Sequence, residues 1–168
     1  GNPVSVAAAD VDGDGDLDVT TFEWFKSAFS SVLNGLPDDS PLCSYGDAVR
    51  ARPSKAMTAL GPNGPLSRRY RNDGGGLFTE LVGGEGIAFD QILGFTPTFT
   101  DFDSDGDPDL LVTGDFCTSR AYRNDGKAGF VDITKASAVG DDENGMGSVV
   151  ADVDRDGDCL LYTSPSPR

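Results

Sequence analysis

The stretch TDFDSDGDPDLLVTG, Thr100–Gly114, sets five aspartates on alternate positions around one glycine and then runs into an apolar segment. In the pattern D-x-D-x-D-G-x-x-D, positions 1, 3, 5 and 9 can turn carboxylate oxygens toward one hard cation. Position 7 can add a backbone carbonyl, and glycine at position 6 permits the bend. The candidate side-chain ligands are therefore Asp101, Asp103, Asp105 and Asp109, with Asp107 as carbonyl donor and Gly106 at the bend. The same spacing stands earlier, with Asp10, Asp12, Asp14 and Asp18 as side-chain ligands, Asp16 as carbonyl donor and Gly15 at the bend. A third copy begins at Asp152, Asp154 and Asp156, with Gly157 and Asp158 following, but Leu160 stands at its ninth position. An all-oxygen donor set of this kind suits Ca2+; Mg2+ fits less well because it prefers octahedral geometry and keeps its waters. Without a cation the crowded carboxylates repel one another, so ion-free loops are expected to be disordered or partly protonated. An acidic surface turn is the alternative, and repeated copies in one spacing count against it.

These loops are not EF-hands. That motif needs a bidentate Glu at position 12 and a helix on each side. Position 12 is Thr21, Val112 and Thr163 in the three copies, and Pro108 sits at position 8 of the second. The flanks PVSVAAAD, TPTFTDFD and GSVVADVD lead into the loops, and DLDVTTF and DPDLLVTG lead out, all with the composition of strands.

A second motif recurs in step with the first. SRRYRNDGGGLFTEL (Ser67–Leu81) returns as SRAYRNDGKAGFVDI (Ser119–Ile133), 52 residues on, and its Asn-Asp-Gly core is hairpin-turn chemistry. One unit thus reads strand, Asp loop, strand, YRNDG turn, and a strand carrying Phe78 or Phe130. Three or four strands in roughly 50 residues is the size of a propeller blade. Units are expected at 1–86, 87–140 and 141–158, the last truncated. The expected fold is all-β, an incomplete β-propeller.

The first unit carries an insertion at about 22–66. Phe22, Phe25, Phe29, Val32 and Leu33 fall at helical spacing before Asn34-Gly35, which predicts a short amphipathic helix followed by an irregular loop. The insertion either packs over one edge or forms a ligand face.

Composition narrows the function. With 38% hydrophobic residues the chain has the means to build a core, unlike a disordered acidic tail. A formal charge of −15 repels phosphates, which argues against nucleic acid. No run of 18 apolar residues predicts a membrane span. The chain has no His, so the commonest general base is missing, and no cluster of Lys55, Arg68, Arg69 or Tyr70 is diagnostic of catalysis. Arg69, Arg71, Arg120 and Arg123 are expected to pair with nearby Asp side chains or cap turns. Cys43 and Cys117 can pair if the protein is secreted; a buried free thiol is the alternative.

The Asp loops and YRNDG turns, over residues 1–20 and 67–158, resemble the FG-GAP/VCBS repeats of integrin α-chain-like β-propellers. In style they are closest to the ASPIC/UnbV, cartilage-acidic-protein-like group. The resemblance implies a calcium-stabilised, extracellular propeller segment acting in adhesion or in binding a protein or glycan ligand, with mainly structural ions. The competing expectation is a structural part of a calcium-dependent polysaccharide-degrading enzyme. Nothing in the resemblance accounts for residues 22–66. About two and a half units cannot close a ring of 4–8 blades, so the chain is expected to be a piece of a longer protein. Residues 159–168, CLLYTSPSPR, are read as a non-native, sequencing-adapter-like tail, which removes Cys159 from any disulfide count.

Overall fold

The computed structural model describes residues 5–22, 43, 44, 47, 67–81, 92–126, 129–140, 145–152 and 160–165, the last group by backbone alone. Four strands, β1 (Ser5–Ala9), β2 (Asp18–Phe22), β3 (Arg68–Asn72) and β4 (Phe78–Leu81), form a sheet in sequence order. A second four-stranded sheet repeats that order with β5 (Gly94–Thr100), β6 (Asp109–Gly114), β7 (Arg120–Asn124) and β8 (Phe130–Asp132). A third piece pairs β9 (Gly145–Ala151) with β10 (Leu160–Pro165). Every pairing is antiparallel. The fold is all-β, as the alternating patterns predict.

Register reproduces the sequence repeat. Ala9 faces Asp18, Thr100 faces Asp109 and Ala151 faces Leu160, so each Asp loop closes its hairpin at the same place. Val19 faces Tyr70 and Leu110 faces Tyr122, which places the two YRND segments identically beside the two loops.

The helix expected from Phe22 onward needs one correction. Phe22 is the last residue of β2, pairs with Ser5 and is fully buried. Period-2 alternation explains this: Asp18, Thr20 and Phe22 lie on one buried face of the strand, and that face overrides the helical spacing. The remainder of the expected helix, 23–35, lies outside the described residues. Cys43, Ser44 and Asp47 are helical. Cys43 is disulfide-bonded to Cys117, with their Cα atoms 5.1 Å apart, so the long β2–β3 connection is tied to the second unit.

The core lies between the two sheets. Leu110, Val112, Tyr122 and Phe130 of the second unit meet Val11 and Phe22 of the first, with Ile92 between and Ala9 and Phe99 at the margin. Burying each large apolar side chain contributes about 1.5–3 kcal/mol. The approach is close: a Cβ added to Gly94 would lie 2.6 Å from the Phe22 ring, so only glycine fits there. A polar clasp crosses the same seam, where Asn124 Nδ2 donates to the Val11 carbonyl at 3.0 Å. β1 lies against β5, and β5 against β9, so successive units stand side by side.

Candidate metal centre

The two complete loops have one backbone design. At position 1, the Asp10 carboxylate accepts from Asp14 N at 3.0 Å and Gly15 N at 2.9 Å. Asp101 does the same with Asp105 N at 3.1 Å and Gly106 N at 3.0 Å. At position 5, Asp14 accepts from Asp16 N and Asp105 from Asp107 N, both at 2.9 Å. The bend requires a left-handed residue at position 6, and Gly15 and Gly106 supply it at φ 93° and 98°. Backbone N–H groups therefore hold several carboxylates in place and offset part of their mutual repulsion. These bonds give the two loops one shape.

Ninth-position aspartates do something different. Asp18 and Asp109 are buried, and each carboxylate spans two elements. Asp18 accepts from Val11 N at 3.2 Å and from Asn72 N at 2.8 Å. Asp109 accepts from Phe102 N at 3.0 Å and from Asn124 N at 2.7 Å. Position 9 thus fastens the Asp loop to the YRND strand. Burial pushes both carboxyls above the ordinary Asp value, against the pull of these N–H groups. Asp12 adds to the rise at Asp18, and Asp103 and Asp105 add to it at Asp109. Burial thus favours the protonated form at position 9.

Asn72 and Asn124 were not singled out from sequence as part of the site. Their role is to close it: Asn72 Nδ2 donates to the Leu17 carbonyl at 3.3 Å, and Asn124 Nδ2 to the Pro108 carbonyl at 3.3 Å. Their side-chain oxygens then cap Gly74 N and Gly126 N, each at 3.1 Å. The available signal was the fixed phase between the YRND motif and the Asp loop.

The arginines divide. Arg71 pairs with Asp73 at 2.7 Å and Arg123 with Asp125 at 2.6 Å; Arg123 also stands 3.9 Å from Asp103 of the loop. Arg120 Nη1 donates to the Ser119 carbonyl at 2.7 Å, and Arg68 pairs with Glu80. Arg69 interacts electrostatically with Asp18 and Asp12, and its guanidinium also lies over the Phe130 ring, 5.2 Å from the centroid, across the seam between units.

Carboxylate oxygens of Asp10, Asp12 and Asp14 lie within 4.8 Å of one another, as do those of Asp101, Asp103 and Asp109. A cation with bonds of about 2.3–2.6 Å spans such a gap, and the donors are all hard oxygens, so the set fits calcium. Asp105 and Asp18 stand outside these clusters, and the side chains of Asp16 and Asp107 lie instead against the YRNDG turns, beside Gly74 and Gly126. In the third copy Asp152 is exposed, and Asp154, Asp156 and Asp158 lie outside the described residues.

A four-stranded antiparallel unit, with an acidic loop closing its first hairpin and repeated in register, is the make-up of a β-propeller-type repeat module. The chain carries an FG-GAP-like repeat: residues 101–158 match that family. No curated protein and no solved structure matches the chain. The repeat marks a β-propeller-type interaction module, and no helix among the described residues is long and apolar enough to cross a membrane.

Proposed function

We propose that this chain is a calcium-binding, extracellular segment of a propeller-type adhesion or recognition protein, similar to the integrin α-chain and ASPIC/UnbV groups. The observation that carries the reading is the duplicated acidic loop, which in both copies brings three carboxylate oxygens within 4.8 Å on one backbone design. Calcium supplies charge neutralisation at these loops; the residues of the chain orient the carboxylates and lock each loop to its YRND strand. The ions act on structure, and the ligand, a protein or a glycan, binds elsewhere on the assembled units. The Cys43–Cys117 disulfide supports an oxidising compartment, where external calcium suits sites with dissociation constants of about 10⁻⁴–10⁻³ M. We read the segment as non-catalytic.

The test is a calcium titration by calorimetry, followed by a glycan and matrix-protein array probed with calcium and with chelator. Uptake of calcium with calcium-dependent retention of one ligand class is the expected result. Absence of any calcium binding at millimolar concentration removes the metal reading, and turnover of an arrayed polysaccharide removes the non-catalytic one.

A further inference from the structure

The two loops look alike but sit in different electrostatic surroundings. Thr20 of β2 pairs with Arg69 of β3, so Asp18, Thr20 and Arg69 share one face of the first sheet. All three are buried, with Arg69 at 7% exposure, and that face is covered by the second unit. In the second sheet the corresponding pair is Leu111 and Ala121, on the face that carries Asp109. Both are buried and apolar. A fixed positive charge therefore stands beside the ninth position of the first loop, and a methyl group stands beside that of the second. The clusters differ in the same sense: Asp109 belongs to the cation-ready group of its loop, whereas Asp18 does not.

We propose that Arg69 is a built-in counter-cation that makes the first loop the weaker ion site and leaves the second loop, with Ala121 in its place, as the tighter one. The inference rests on the calcium reading above. Arg69 is pinned by Phe130 and cannot swing into solvent without opening the seam between units. A divalent ion entering the first loop, whose Asp12 and Asp14 are exposed, meets this charge near the protein surface, where at an effective dielectric of about 20 repulsion over several ångströms is worth a tenfold change in affinity or more. Among the described residues, Arg123 stands 3.9 Å from Asp103 of the second loop and pairs with Asp125, and Arg71 holds the equivalent place at the first loop, so Arg69 is the difference between them. Arg69 thus acts as an affinity-determining residue that need not touch the ion.

The experiment is calorimetry of the full chain with calcium chloride. The expected result is a tight event abolished by Asp103→Asn and a second event, weaker by about tenfold or more, abolished by Asp12→Asn. Arg69→Met, which keeps bulk over Phe130, should tighten the weak event by about tenfold and leave the tight one unchanged. Ala121→Arg should weaken the tight event in return. Arg69→Gln serves as a second neutral variant, with near-ultraviolet circular dichroism checking that each variant remains folded. Equal affinities of the two loops in the parent chain, or two events unmoved by a folded neutral variant, overturn the inference while calcium binding stands. A parent chain that takes up no calcium overturns both.

Discussion

Phe78 and Phe130 occupy the same place in two copies of one repeat, yet Phe78 is 50% exposed and Phe130 only 5%. Phe130 lies under Arg69 and in the cluster with Val11 and Phe22 of the first unit. Around Phe78, Leu77 is 69% exposed, and Leu17 and Val6 on the same unit are also open. Equivalent positions of one repeat thus have two energetic roles, and the neighbouring unit makes the difference. A sheet has two faces to cover, and in side-by-side packing each unit lends one face to the next.

The largest expected effect separates these two residues. Phe130→Ala should lower unfolding free energy by about 3–5 kcal/mol, and Phe78→Ala by less than about 1 kcal/mol, both measured by urea denaturation. Similar losses at both positions would mean that the seam between the units is not the main core.

The units also differ in how their second and third strands are joined. Residues 115–119 connect β6 to β7, whereas residues 23–67 connect β2 to β3 and carry Cys43. The disulfide spans 74 residues of sequence, and closing such a loop stabilises by about 4 kcal/mol on chain-entropy grounds. Cys43→Ser with Cys117→Ser should lower the urea midpoint accordingly, with strands β5–β8 still protected in hydrogen exchange. Loss of protection throughout the second unit would show that the tie organises that sheet and does not simply anchor the connection to it.

A smaller effect concerns pH. Asp18 and Asp109 have folded pKa values raised above the ordinary Asp value, mainly by burial. Their stabilising contribution is full below the ordinary value and is lost as pH rises through the raised one. In chelator, the thermal midpoint should therefore fall over that window, and Asp109→Asn should shallow the fall. Calcium should flatten it too, since the ion favours the ionised form. Asp73 and Asp125 have lowered values, from the Thr79 and Arg71 contacts and from Arg123 respectively, and slope the other way, so the variant is compared with its parent under identical conditions. An unchanged slope in Asp109→Asn would place the pH dependence elsewhere.

Much of this was legible in the residues. Alternation in TPTFTDFD and DPDLLVTG, broken by the Asp loop, specifies a hairpin, and the constant phase of YRNDG specifies the third and fourth strands. Both are local or periodic signals, carried by backbone preference and by which face a side chain takes. Helical spacing misled at Phe22 alone, because a strand ending there satisfies burial equally well, and only the second sheet, with Gly94 left bare to admit the ring, determines which one wins at that residue. Cys43 and Cys117 were already candidates for pairing, and tertiary structure decided between a bond and a buried free thiol. The fastening of Asp18 and Asp109 to Asn72 and Asn124 was invisible, because it joins separate strands. The residues alone established the repeat, its strands and its acidic loops. Tertiary structure alone established which copy of the Phe is core, which loop has an arginine at its back, and which aspartate is a fastener. Those depend on what each unit packs against, and a repeat cannot record a neighbour in its own sequence.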